Sequence, residues 1–179
     1  MVGLCHDPLE VEFSRIFKFI RLELFEPDDK NYLKRVTTTA VRMTTEALPQ
    51  SVFRYLAFNV MVISPTSLRS LKRKQLSALE AWLRAGGSLL LLGTDKAGAA
   101  QNFVDSLKSA PAVFSKEKGA LFVRPDLGRA VLIDKVSALP DEETSNSLWR
   151  RIAAFLWKFR SLQLEACLLY TSPSPRDPH

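Results

Sequence analysis

A strand–helix–strand pattern in the middle of the chain is the feature that most constrains its fold. Two short apolar runs, Phe58–Ser64 and Ser88–Leu92, are bounded by proline and glycine residues. Runs that are apolar on both faces are typical of parallel strands that helices cover on both sides. Between the two runs the leucines recur at helical spacing, as Leu76, Leu79 and Leu83. The pattern predicts a βαβ unit with a right-handed crossover.

The two ends of the predicted helix carry their own signals. Ser70 is of the residue type that caps a helix N-terminus, and Gly86 suits the left-handed position that ends a helix. Three cations, Lys72, Arg73 and Lys74, fall in the first turn, where the helix dipole is also positive. They are interpreted as solvated charges that a stable helix tolerates, and contact with an anionic partner is the alternative.

The flanking sequence extends this pattern into a complete sheet. Phe17–Phe25 and Arg35–Thr45 are predicted strands, Ala99–Ser109 is a predicted helix, and Ala120–Pro125 with Arg129–Ile133 is a predicted hairpin. The segment "NSLWRRIAAFLWKFR" is an amphipathic helix that is expected to dock on the sheet, with a membrane surface as the alternative. The fold class predicted is α/β, a three-layer, open, mostly parallel sheet flanked by helices.

The end of the chain continues no earlier pattern. Cys167–Asp177 reads "CLLYTSPSPRD", which resembles the translated adapter sequence left by transposase-based preparation of sequencing libraries. We therefore expect residues 1–166 to form a single domain that is a fragment of a longer protein, and residues 167–179 to be a disordered tail.

Composition excludes several classes of function. The formal net charge is +6, but the cations are spread along the chain, so nucleic-acid binding is not favoured. No run of 18 apolar residues is long enough to cross a membrane. Outside the tail the chain has one Cys and one His, Cys5 and His6. These are too few for the usual ligand set of a zinc site. Neither a metal nor a cofactor is expected. Partners are not specified by the sequence.

The central segment resembles the class I glutamine amidotransferase-like domains, which have a flavodoxin-like fold. The matching residues are Leu79, Trp82, the pair Gly86–Gly87 and Leu89–Gly93. More narrowly, it is similar to uncharacterised versions of the domain in bacterial membrane-anchored proteins, with "GRAVLID" similar to their closing strand and "LWRRIAAFLW" to the helix that follows. The resemblance implies a membrane-anchored parent with this domain outside the bilayer. Its partners would be other domains of the same protein or a component of a membrane complex.

The resemblance also implies where a nucleophile should stand. True amidotransferases carry a Cys in the sharp turn after the strand that matches Ser88–Leu92, with His and an acid later in the chain. Here Thr94 and Asp95 occupy that turn, and no His follows until His179. Cys5 lies far along the chain from Thr94. We therefore expect no catalytic residues and no glutamine hydrolysis.

A ligand site is nevertheless expected at the carboxyl ends of the strands, where open α/β sheets bind their ligands. The side chains predicted there are Ser64, Thr66, Thr94, Asp95 and Lys96, which are suited to a sugar or a phosphate and are also ordinary loop residues. Two hypotheses follow. The chain is a non-catalytic binding or scaffolding module of a larger protein, or it is a carbohydrate- or small-ligand-processing enzyme whose decisive residues lie beyond residue 166.

Overall fold

The computed structural model describes residues 1–5, 20, 38–109, 113–117, 119–135 and 148–157. Within these ranges the strands are β1 Val2–Cys5, β2 Ala40–Met43, β3 Val60–Ile63, β4 Ser88–Leu92, β5 Val113–Glu117, β6 Ala120–Val123 and β7 Arg129–Ile133. The α-helices are α1 Pro65–Ser70, α2 Arg73–Arg84, α3 Gln101–Lys108 and α4, residues 148–157. Short 3-10 helices cover Val52–Ala57, Thr94–Lys96 and Gly98–Ala100.

All the described strands belong to one sheet in the order β2-β1-β3-β4-β7-β6-β5. The five strands β2, β1, β3, β4 and β7 are parallel, while β6 pairs antiparallel with both β7 and β5. The predicted parallel pairing of β3 with β4 is confirmed, with Val60 opposite Ser88 and Ile63 opposite Leu91. The protein therefore has the predicted three-layer α/β fold with a mostly parallel sheet.

The two central strands are buried on both faces because their side chains alternate between two hydrophobic cores. Met61, Ile63, Leu89 and Leu91 face the layer of α1, α2 and α3. The intervening residues, Val60, Val62, Leu90 and Leu92, face the layer of α4. Strands with water on one face would alternate apolar and polar residues, so the unbroken apolar runs follow from this arrangement.

The predicted start of the long helix is wrong by two residues. Ser70 ends the short helix α1, and buried Leu71 takes an extended backbone conformation that turns its side chain into the core. The helix α2 therefore begins after Lys72, whose backbone N–H donates to the Gln75 side chain at 2.9 Å. Leu79 and Leu83 are buried as predicted, whereas Leu76 is only half-buried.

The end of α2 matches the prediction. Gly86 has φ of 114°, and its N–H donates to the Leu83 carbonyl at 3.0 Å. The N–H of Gly87 donates to the Trp82 carbonyl at 3.0 Å. This pair of hydrogen bonds is the Schellman motif, in which glycine takes the left-handed position at no steric cost.

Helix α4 docks on the sheet, as predicted from its apolar face. Trp149, Ile152 and Leu156 pack in the same core as the central strands. Two of its carbonyls are bound from the amino edge of the sheet, where the Ser88 hydroxyl donates to the Leu156 carbonyl at 2.7 Å and the Arg129 guanidinium to the Phe155 carbonyl at 3.2 Å. These hydrogen bonds help to fix the helix on the sheet.

Other predicted elements are partly confirmed. The hairpin is present as β6 and β7, and the predicted helix 99–109 is present as α3. Of the predicted strand Arg35–Thr45, the described residues form a strand only over β2. The first three residues of that prediction lie outside the described residues. So do the tail 167–179 and all of Phe17–Phe25 except Ile20. No helix among the described residues is long and apolar enough to cross a membrane.

Candidate functional site

The site is built at the carboxyl edge of the parallel strands, where three neighbouring strands end together. Ile63 of β3 lies opposite Leu91 of β4, and Leu92 lies opposite Ile133 of β7. The loops that follow these strands, which begin at Ser64, Gly93 and Asp134, therefore leave the sheet side by side. Side chains in these loops are held by a rigid platform of buried strands.

The loop after β3 uses its polar side chains largely to begin and support α1. The buried Ser64 hydroxyl accepts a hydrogen bond from the Ser67 backbone N–H at 3.2 Å and caps the helix. The Thr66 hydroxyl accepts a hydrogen bond from the Arg69 guanidinium at 3.4 Å, and the Thr66 carbonyl accepts one from Ser70. Ser64 is thus a capping residue, and Thr66 orients Arg69.

The loop after β4 is joined to the end of β7 by a buried hydrogen bond. The Thr94 side chain is buried, and its hydroxyl donates to Asp134 Oδ1 at 2.8 Å. Lys108 Nζ lies 2.9 Å from the same oxygen and forms an ion pair with it. The Asp95 backbone N–H also donates to the Asp134 carbonyl at 3.3 Å. The turn after β4 is therefore held in place by this network of hydrogen bonds.

Gly93 brings the β3 and β4 loops into direct contact. It has φ of 66°, a conformation that side-chain-bearing residues rarely adopt, and a Cβ atom at this position would lie 2.7 Å from Pro65 Cβ. Only glycine satisfies both conditions. The contact closes the floor of a cleft between the two loops.

The cleft above Gly93 is lined mainly by charged side chains. Its lining residues are Pro65, Arg69, Gly93, Asp95, Lys96 and Lys135. Arg69 comes from α1, Asp95 and Lys96 from the loop after β4, and Lys135 from the loop after β7. Three cations therefore converge on the cleft against one carboxylate, and all four side chains are exposed.

The five predicted site residues are all placed at this edge, but only two of them line the cleft. Asp95 and Lys96 do, whereas Ser64, Thr66 and Thr94 form the hydrogen bonds described above. The cleft residues that the sequence did not single out as a site are Arg69 and Lys135. A signal existed for Lys135, because it follows the strand "RAVLI" by one residue, but its proximity to Lys96 depends on the β4–β7 pairing.

Cys5 contradicts the expectation drawn from its distance along the chain. It ends β1 and pairs with Ile63, so it also lies at the carboxyl edge, where the Ser64 backbone N–H donates to the Cys5 carbonyl at 3.0 Å. Its side chain, however, is fully buried in the core on the α2 side and does not line the cleft. His6 lies outside the described residues.

Two further features bear on chemistry. No group of three His, Cys, Asp or Glu side chains that could hold a metal ion is found within the described part of the chain. A second cleft lies at the opposite, amino edge of the sheet, where Leu56, Phe58, Trp82 and Trp157 contribute to its lining. None of the residues that line it is charged, in contrast to the carboxyl-edge cleft.

Comparison with known proteins finds similarity in structure only. No family model and no curated protein matches the chain. A cytoplasmic protein of Salmonella typhimurium LT2 aligns with a TM-score of 0.51 at 10% identity, over 90% of this chain and 99% of its own. A second cytoplasmic protein of Salmonella typhimurium aligns with a TM-score of 0.49 at 12% identity, over 91% of this chain and 98% of its own. The first of these shows a shared fold.

Proposed function

We propose that the chain is a non-catalytic α/β domain that acts as a binding or scaffolding module of a larger bacterial protein, with its ligand surface at the carboxyl edge of the sheet. The observation that carries the proposal is the buried hydrogen bond that the turn after β4 makes through Thr94. The Thr94 hydroxyl is buried and donates to Asp134, so the turn presents no hydroxyl or thiol nucleophile to the cleft. The charged side chains beside it are those of a binding surface.

The geometry supports binding at this edge for a second reason. In open parallel sheets ligands bind beyond the carboxyl ends of the strands, which is the edge where this cleft lies. Here the crevice has a rigid floor, because Gly93 contacts Pro65, and it has charged walls. The membrane-anchored parent is supported only by the sequence resemblance. The Salmonella neighbour is a cytoplasmic protein, but at 10% identity the likeness concerns the fold alone.

A second candidate, a small-ligand- or carbohydrate-processing enzyme, is favoured by the position of Cys5. A thiol at the carboxyl edge, one strand away from Ser64, is in the region where enzymes of this architecture place catalytic groups. Against it stands the complete burial of the side chain, because a nucleophile has to reach its substrate.

One assay tests whether the thiol of Cys5 acts as the nucleophile of glutamine hydrolysis. Ammonia release from glutamine is measured for the parent chain and for Cys5→Ser, both in a Cys167→Ser background so that Cys5 is the sole thiol. We expect both proteins to give the rate of the buffer blank. Ammonia released by the parent and lost in Cys5→Ser would overturn the binding-module proposal and make the chain an enzyme.

A further inference from the structure

We propose that the carboxyl-edge cleft takes a small phosphate monoester that carries hydroxyl groups. This inference rests on the proposed function and names the ligand class for the same site. It is drawn from four side chains, Arg69, Asp95, Lys96 and Lys135, which the fold brings together from three separate segments of the chain.

The side chains that line the cleft carry an excess of positive charge, three cations against one carboxylate. Within the described residues, neither Lys96 nor Lys135 is part of an ion pair, in contrast to Lys108, which pairs with Asp134. Cations that face one another repel, so a cluster with a single carboxylate is an arrangement that an anion stabilises. A phosphate monoester, which carries close to two negative charges at neutral pH, matches this imbalance better than a monoanion does.

The chemistry of the three cations favours phosphate. Arg69 offers a planar guanidinium whose paired N–H groups match two phosphate oxygens, and its hydrogen bond to Thr66 restricts its orientation. Lys96 and Lys135 act as point charges that can follow the remaining oxygens. The floor of the cleft is rigid, because Gly93 packs directly against Pro65.

Asp95 is the reason for expecting hydroxyl groups on the ligand. Its carboxylate repels a phosphate, so a site for inorganic phosphate alone would gain by losing it. A carboxylate accepts hydrogen bonds from hydroxyl groups, and its position on the wall of the cleft beside Lys96 suits a ligand with a phosphate at one end and hydroxyl groups at the other.

The test is calorimetric titration of the full chain at low ionic strength with glycerol 3-phosphate, inorganic phosphate and glycerol as probes. We expect glycerol 3-phosphate to bind more tightly than inorganic phosphate, and glycerol to give no signal. The double variant Lys96→Ala/Lys135→Ala should weaken glycerol 3-phosphate binding by about tenfold or more, since it removes two charge-assisted contacts. Arg69→Lys, which keeps the charge and loses the planar fork, should weaken it to a smaller but measurable extent.

The matched control is Lys74→Ala/Arg150→Ala, which removes two exposed charges outside the cleft and should leave the affinity within about twofold. Asp95→Ala, which removes the hydrogen-bond acceptor, should abolish the preference for glycerol 3-phosphate over inorganic phosphate. All of these side chains are exposed, so circular dichroism of each variant should match the parent. Absence of binding by the parent, or equal losses in the cleft and control variants, overturns the inference.

These outcomes are distinct from a failure of the proposed function. A neutral or non-phosphate compound that binds at the same edge would refute the phosphate assignment and leave the binding module intact. Ammonia release that depends on Cys5 would refute the binding module irrespective of any phosphate affinity.

Discussion

The hydrogen bond between Thr94 and Asp134 is the contact on which the non-catalytic assignment depends, and its strength is measurable. Thr94→Val keeps the shape of the side chain and removes the hydroxyl donor. Asp134→Ala removes the acceptor. In the parent the two groups are 2.8 Å apart, and Lys108 Nζ lies 2.9 Å from the same carboxylate oxygen.

The expected coupling free energy follows from burial. A hydrogen bond to a charged group contributes about 1.5–3 kcal/mol to stability. The Thr94 side chain is buried, but the Asp134 side chain is 43% exposed, so water replaces part of what the hydroxyl supplies. Lys108 also remains beside the carboxylate in Thr94→Val. We therefore expect a coupling near the lower end of that range, about 1–2 kcal/mol.

The assay is a double-mutant cycle by urea unfolding at neutral pH, with the single variants and the double variant measured together. A matched control cycle pairs Thr94→Val with Asp126→Ala, whose carboxylate pairs with Arg84 at the amino edge of the sheet. That cycle should be additive to within about 0.5 kcal/mol. A Thr94–Asp134 coupling free energy no larger than that of the control would show that the Thr94 hydroxyl does not bind Asp134. The turn after β4 would then not be held by this hydrogen bond.

Three further predictions concern the framework. Leu79→Ala should lower the free energy of unfolding by about 2–5 kcal/mol, because Leu79 is fully buried. Leu76→Ala should lower it by clearly less, because Leu76 is half-buried. A loss below about half a kcal/mol for Leu79→Ala would place Leu79 on the surface. Gly93→Ala should cost more than Gly98→Ala, because both have positive φ but only at Gly93 does a Cβ meet an atom closer than 3.4 Å; equal losses would refute the tight contact. The pKa of Glu46 is lowered by hydrogen bonds from its own backbone and from Thr44, so Glu46→Gln should reduce the urea midpoint at pH 7, and the difference should shrink as the carboxyl becomes protonated in acid. A difference that does not shrink as the pH falls would exclude this cause.

Much of the fold could be predicted because its central signals are local. The apolar runs of β3 and β4, the Gly86 helix end and the β6–β7 hairpin each depend on residues a few positions apart. β1 was not predicted, because "VGLC" is only four residues long and includes a glycine. Its place in the sheet comes from pairing with β2 and β3 across about 40 and 60 residues, which no local pattern records.

The candidate site could be predicted in position and only partly in composition. The carboxyl-edge rule points to the loops at Ser64 and Thr94, since it needs only the strand ends, and a cleft lies beside them. Which side chain faces the cleft depends on helix capping and on the order of strands: Ser64 caps α1, and Lys135 reaches the cleft because β7 lies beside β4. Cys5 lies at the same edge because β1 pairs with β3.

The most direct test of the central claim is to locate ligand binding on the molecule. Backbone amide chemical shifts are followed while pooled small polar compounds, including phosphate esters, are added to the isotope-labelled chain. We expect the largest changes in chemical shift at Gly93–Lys96 and at residues 134 and 135. The amides of Gly86 and Gly87 in the amino-edge cleft should be unchanged. Shifts confined to the amino edge, or none at the carboxyl edge with any pool, would contradict this expectation.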